Sequence, residues 1–276
     1  MNSNKENLPI KGNLKLIYIL SLLIACLFAF TSVSGILLGS KIYPTEELFN
    51  NFISNDVINL LIGLPIILIS IALTSRGKLV GLLFLPGSLL FVVYNYLIYI
   101  LALPLNWAIL FYLILIISSV YTIIKLFTFI NGEKIQKCLT GVVHERISGA
   151  ILVALGLLFM FQAAGAMIEP LINHIQITSI DLAVHISDFA ISPLLVIGGI
   201  QLWRQKAFGY ISGLGLLFQA SMLFIGLIIF LIIEPLLIKT PFLLVDIIVV
   251  SIMGLIGFIP LTLFIRGVST RNNPST

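Results

Sequence analysis

Apolar runs of about 20 residues, the length of helix needed to cross a hydrocarbon core, follow one another along almost the whole chain. Stretches such as "LIGLPIILISIAL" and "FIGLIIFLII" lack the polar/apolar alternation of a membrane-barrel strand. The spanning element must then be a helix, whose backbone hydrogen bonds close within the segment itself. With 59% hydrophobic and only 9% charged residues the chain has too little polar surface to cover a soluble globule. The fold class expected is an all-α integral membrane protein. Eight transmembrane helices are predicted at about 16–40, 57–75, 79–103, 107–130, 148–169, 184–203, 207–233 and 241–265.

The loops carry the orientation signal, because Lys and Arg collect on the cytoplasmic side. With the N-terminus inside, Lys5, Lys11, Lys15, Arg76, Lys78, Lys125, Lys134, Lys137, Arg146, Arg204, Lys206, Arg266 and Arg271 are all cytoplasmic. Only Lys41 and Lys239 fall outside. An even number of spans with both termini cytoplasmic produces this split, and an odd number would scatter it. The net charge of +4 is thus a topology signal and gives no reason to expect a nucleic-acid partner.

The spans also repeat. Arg76, Lys78 and Gly81 in "TSRGKLVG" fall on Arg204, Lys206 and Gly209 in "LWRQKAFG", each 128 residues on. Pro65/Pro193, Gly87/Gly215 and Leu89/Leu217 keep the same spacing of 128. A shift of two brings Gly39, Ile42 and Pro44 onto Gly165, Ile168 and Pro170. The expected organisation is a first four-helix repeat over 1–130, a cytoplasmic linker over 131–147 and a second four-helix repeat over 148–276. Each copy has an even number of spans, so the copies insert in parallel about a pseudo-two-fold axis along the membrane normal. The basic turn is read as structural (Arg76, Lys78, Arg204, Lys206). "SRGK" lacks the spacing of a phosphate-binding loop, and no strand precedes it.

Pro44, Pro104, Pro170 and Pro235 are each expected to end an outward-running helix, since proline cannot donate the next helical hydrogen bond. Pro65 and Pro193 fall inside spans and should kink or open them, a structural role, although freed carbonyls at mid-depth can also bind a cation. "LIAC" at 23–26 matches a lipoprotein processing box and "SVS" at 32–34 a signal-peptidase site. Removal of the first span would break the repeat, so a retained signal-anchor helix is favoured. Cys26 and Cys138 lie at different levels and are not expected to pair.

Candidate functional residues come from polarity out of place. Glu46, Glu47, Asp56, Glu169, Asp181, Asp188, Glu234 and Asp246 all lie toward the outer side, which suggests cations. "DLAVHISD" puts Asp181, His185 and Asp188 at i, i+4 and i+7 on one helix face, a pattern able to bind a divalent metal or relay a proton, and equally the wet face of an interfacial helix. Glu169 and Glu234 precede prolines at helix C-termini, where the macrodipole disfavours negative charge. Asp246 lies within the last span and is the first candidate for a cation or proton ligand if it faces the bundle. Asn95, Gln162, Gln219 and Ser221 are uncharged polar residues inside spans, Asn95 flanked by Tyr94 and Tyr96. Interhelical hydrogen bonding is their default role, and convergence on one cavity would make them solute contacts.

No catalytic triad, nucleotide loop or haem-type histidine pair is present, and no cofactor is expected. The function expected is a polytopic membrane protein that carries a small solute or cation across the membrane. The alternative is a non-catalytic membrane subunit or scaffold that holds lipids or partner proteins. A third reading is a metal-dependent membrane enzyme working at the outer face. The expected location is the plasma membrane of a prokaryote, because the positive-inside pattern is clean and no transit peptide precedes it.

Overall fold

The computed structural model describes residues 8–238 and 241–271. Of the charged residues named above, Lys5 and Lys239 lie outside them. The described chain is all-helical: α1 (Lys15–Ile42), α2 (Glu46–Ile58), α3 (Leu64–Ser75), α4 (Leu79–Ala102), α5 (Ala108–Phe129), α6 (Gly132–Leu139), α7 (Glu145–Asn173), α8 (Ser179–Trp203), α9 (Ala207–Ile238) and α10 (Leu244–Arg271). A single π-helical turn, Asn59–Gly63, joins α2 to α3. Taking α2, the π turn and α3 as one unit, eight helices among the described residues are long and apolar enough to cross a membrane. The protein is therefore a multi-pass membrane protein, with the predicted number of spans.

Several boundaries differ from expectation. The second span begins at Glu46 instead of 57, because Thr45 caps it by accepting a hydrogen bond from the Leu48 N–H (3.3 Å), with Glu46 and Glu47 in the first turn. The sixth begins at Ser179, capped in the same way by Thr178. Pro44 and Pro104 follow the ends of α1 and α4 as expected, but α7 and α9 run on past Pro170 and Pro235 to Asn173 and Ile238. A proline forfeits only one hydrogen bond, and nothing prevents the following residues from bonding back to carbonyls beyond the gap. The stop in α7 is instead His174, at φ 52, whose N–H reaches the Pro170 carbonyl. Pro65 sits in the first turn of α3, directly after the π turn, whereas α8 continues through Pro193 as α-helix. The prolines match in sequence, but only one of the two helices opens.

The linker is also more ordered than its polarity suggests. Asn131 caps α6, and Ile135 and Leu139 are buried where α6 lies against α9. Beneath it the Glu145 carboxylate accepts from the Gly141 N–H (2.7 Å) and from the Tyr210 hydroxyl (3.0 Å). Residues 9–11 pair with 129–131 through the Lys11 N–H to the Phe129 carbonyl and the Asn131 N–H to the Pro9 carbonyl. Gln136 donates to the Gln205 carbonyl (2.7 Å), and Tyr18 to the Thr74 carbonyl (3.1 Å). These contacts gather the N-terminal segment, α6 and both basic turns at one end of the bundle.

α4 is the most enclosed span. It packs against α3 and α5 on one side and α8 and α9 on the other, while α9 likewise touches α8 and α10. α4 crosses α9 where Gly87 meets Gly215: a Cβ built on Gly87 would stand 2.7 Å from Gly215 Cα, and one on Gly215 would stand 2.9 Å from the Gly87 nitrogen. The outer spans turn leucine, isoleucine and phenylalanine outward, as a lipid-facing surface requires. Trp107 and Trp203 are half-exposed at helix ends, as interfacial anchors are.

The two basic turns share one backbone. Arg76, Gly77 and Lys78 donate to the Ala72, Thr74 and Leu73 carbonyls, and Arg204, Gln205 and Lys206 donate to Ile200, Leu202 and Gln201, the same three bonds 128 positions on. The four basic side chains are exposed. The central residue of each turn is left-handed, Gly77 at φ 78 and Gln205 at φ 53. A side chain in that conformation costs about 1 kcal/mol, which Gly77 avoids. Gln205→Gly is expected to stabilise the protein by about that amount, keeping the carbonyl that Gln136 uses. A thermal melt in detergent checks this, with Gln205→Ala as the variant that should not gain.

Candidate functional site

The feature that unites polar residues from distant parts of the sequence is a cavity of about 520 Å³. Its walls come from the first half of the span formed by α2, the π turn and α3, from the first halves of α8 and α10, and from the last halves of α4, α7 and α9, so it lies in the part of the bundle away from the basic turns. Phe52, Phe91, Phe159, Phe224 and Phe230 with Met222 and Met253 give the wall its aromatic and thioether surface, beside aliphatic side chains. Into this surface project Asn51 and Asn55 of α2, Tyr94 and Asn95 of α4, Gln162 of α7, and Asp181, His185 and Asp188 of α8.

The polar groups are tied together across helices. Tyr94 donates to Asp188 Oδ1 at 2.9 Å, a bond between α4 and α8. Asn55 Nδ2 lies 3.2 Å from Asn95 Oδ1 and 3.3 Å from the Tyr99 hydroxyl, joining α2 to α4. Asn95 Nδ2 in turn donates to the Phe91 carbonyl (3.2 Å) of its own helix. Interhelical bonds of this kind contribute about 1 kcal/mol each in a membrane, and here they also fix which polar atoms face the space. His185 Nδ1 is buried and has no partner among the described residues. Among the described residues the only charged side chains on the wall are the carboxylates Asp181 and Asp188, with His185 beside them and no Lys or Arg.

Behind the α2 wall lies a second polar cluster that sequence reasoning did not single out. Asp56 is 1% exposed, and its carboxylate accepts from the Tyr43 hydroxyl at 2.5 Å and the Tyr99 hydroxyl at 2.9 Å. Tyr96 bonds to Thr31 on α1, and its ring stacks on Tyr112 with centroids 5.1 Å apart. Tyr43 lies between α1 and α2; burial, and then the Asp56 carboxylate beside it, hold its phenol well above the ordinary range, so it remains a proton donor. A Cβ on Gly35 would overlap the Asp56 carboxylate and crowd the Tyr43 hydroxyl, so α1 admits the pair only because glycine stands there.

The residues singled out from sequence fall into two groups. Asn95, Gln162, Asp181, His185 and Asp188 line the one cavity, Gln162 and Asp181 being the more exposed. Asp246 is exposed in the first turn of α10 and Glu169 is exposed on α7, both off the cavity wall, as is the half-buried Glu234. Gln219 is fully buried on α9, also off the wall, and neither atom of its amide has a partner among the described residues. Asp181, His185 and Asp188 share the cavity wall without forming a metal-ligand group. Among the described residues no group of three or more His, Cys, Asp or Glu could hold a metal ion. Asp181 is instead drawn back to the helix start, accepting from the Thr178 hydroxyl (2.9 Å), while Asp188 is held two turns deeper by Tyr94.

Compared with models of known protein families, with curated proteins and with solved structures, the chain matches none.

Proposed function

We propose that this membrane protein binds a small cationic or neutral amphipathic solute in the cavity between its halves and carries it across the membrane. The observation that carries this reading is the composition of the cavity wall: apolar from both halves of the chain, with carboxylates as its only charged groups among the described residues. Such a wall accepts an apolar body and orients a donor-rich or positive head. It disfavours an anion, which would meet Asp181 and Asp188 with no compensating cation among the described residues.

The same reading takes the chain as two parallel four-helix repeats, with both termini cytoplasmic and the cavity opening outward. Support comes from the matched hydrogen bonds of the two basic turns and from the Gly87–Gly215 contact. Residues equivalent in two copies can touch each other only at the axis relating them. Rocking about this thin crossing would transfer access from one side to the other, as in other parallel-repeat carriers. The clean positive-inside distribution suits a prokaryotic plasma membrane.

The alternative, a non-catalytic subunit that holds a partner through its helix faces, draws on Gln219 and Asp246. Both stand off the cavity wall, so the polar residues do not all converge on one path. Native mass spectrometry on protein extracted from its own membrane separates the two. A small-molecule adduct present in the wild type and lost in Asn95→Ala is expected, followed by uptake of that compound into proteoliposomes. A stoichiometric protein partner without an adduct would overturn the carrier reading in favour of the subunit.

A further inference from the structure

Asp56 is a buried carboxylate with no cation beside it among the described residues. Its hydrogen-bond partners among the described residues are the two phenol hydroxyls of Tyr43 and Tyr99. The ionisable groups facing it are also phenols: Tyr43 from the connection after α1, Tyr96 and Tyr99 from α4, and Tyr112 from α5. α1 itself contributes Gly35 at the point of contact. An uncompensated charge in such surroundings is unfavourable, and taking up a proton relieves it. We propose that Asp56 is a proton-binding site linked to the solute cavity through Tyr99, Asn55 and Asn95. The linkage rests on the carrier reading above; the proton site does not.

The hydrogen bonds supply the link. With the carboxylate ionised, Tyr43 and Tyr99 both donate to it, and the Tyr99 oxygen receives the Asn55 amide at 3.3 Å. When the carboxylate takes a proton from water, one O–H bond forms on Oδ1 and that hydrogen needs an acceptor. The Tyr99 oxygen is adjacent, and its own hydrogen has a second acceptor, the Phe52 carbonyl at 3.4 Å. The new donor then competes with Asn55 for the same phenol oxygen. Asn55 also holds Asn95, and both line the cavity, so the protonation state of Asp56 resets two of the groups a solute meets.

Two further features fit a switch here. The helix opens into its π turn immediately after Asp56, at Asn59, and π turns recur where a helix must change register. The Asn59 amide is fully buried in that turn, and neither of its atoms has a partner among the described residues, so it is free to take one in another state. A proton fits this site better than a metal ion. Both phenols aim hydrogens, not lone pairs, at the carboxylate, and a metal ion would need oxygen lone pairs converging on it.

The test is a pH titration of the full-length protein in lipid nanodiscs, followed by the infrared carbonyl band of protonated carboxyl groups. A component of this band is expected to titrate in the wild type, in Asp246→Asn and in Asp188→Asn and to be lost in Asp56→Asn, the other carboxyl groups keeping theirs. Tyr99→Phe, which removes one partner and keeps the ring, is expected to displace the midpoint by about one pH unit. The same component in Asp56→Asn, or an undisplaced midpoint in Tyr99→Phe, overturns the proton site. A titration that moves when sodium replaces choline in the buffer overturns it in favour of a sodium site. Occupancy of the co-purified adduct, followed by native mass spectrometry across the same pH range, is expected to vary in the wild type and to be pH-independent in Asp56→Asn. A pH-independent adduct in the wild type overturns the linkage and leaves the cavity reading standing. A titrating Asp56 with no adduct at all overturns the cavity reading and leaves the proton site standing.

Discussion

Gly87→Leu is expected to abolish the folded protein, with loss of the monodisperse peak on size exclusion in detergent and a destabilisation of about 3 kcal/mol or more. The reason is that both sides of the contact are backbone. A Cβ on Gly87 stands 2.7 Å from Gly215 Cα, so no side-chain rotation can make room. The two central helices would have to separate, and every α4 contact with α8 and α9 would loosen with them. In a bilayer that loss is not offset by a hydrophobic term, because lipid is as apolar as the interface; close packing itself holds such helices together. Gly87→Ala should cost less but remain destabilising. Gly165→Ala and Gly226→Ala serve as controls, since a Cβ at either meets nothing within 4 Å. Both are expected to be neutral or to gain up to about 1 kcal/mol from better helix propensity. Equal melting temperatures for Gly87→Leu and these controls would show that the crossing is not where the halves meet.

How much of this was legible depended on what the bilayer does to sequence patterns. Span number was plain, because any segment of sufficient length and apolarity must cross as helix. Which face of each span packs was not, because lipid-facing and helix-facing positions are both apolar and the periodicity of a soluble amphipathic helix disappears. Gln219 and Asp246 illustrate this. Nothing around either residue distinguishes a cavity wall from a helix contact or a lipid face, and the first is fully buried off the cavity while the second is exposed.

Asp56 was counted among the outer acidic residues, but its burial was missed for a different reason. The stretch "EELFNNFISNDVI" reads as a polar loop on composition, so the second span was started after Asp56, leaving the carboxylate in solvent. The helix-start signal was nevertheless present, in Thr45 followed by two glutamates, and Leu48, Phe52 and Asp56 recur at i, i+4 and i+8 on the buried side. The same applies to α6, where Asn131, Glu133 and the Ile135/Leu139 pair mark a capped helix with one apolar face. The sequence match at a spacing of 128 residues does not extend to the Asp56 network. In the 128-residue register Asn55, Asp56, Asn95 and Tyr99 fall on Ala183, Val184, Leu223 and Leu227, so the first half alone carries the buried network. The second half supplies the acidic residues Asp181 and Asp188, and the cavity is where the two specialisations meet.

Asp188→Asn is expected to reduce affinity for a cationic ligand about 100-fold while leaving the fold nearly unchanged. The amide oxygen can still accept the Tyr94 hydroxyl, now 2.9 Å from the carboxylate, so the bond between α4 and α8 survives and only the charge is removed. Tyr94→Phe is the converse. It keeps the charge but releases it from α4, so stability should fall by about 1 kcal/mol and affinity by much less than in Asp188→Asn. The two variants therefore distinguish a carboxylate that binds a ligand from one that merely joins two helices. Displacement of a fluorescent lipophilic cation such as ethidium reads affinity, and a thermal melt reads stability. If Asp188→Asn binds the cation as well as the wild type, and Tyr94→Phe lowers stability as much as any substitution at Asp188, the carboxylate is an interhelical strut. The charge of the cavity wall would then have to be assigned to Asp181 alone, which is exposed and already engaged in capping its own helix.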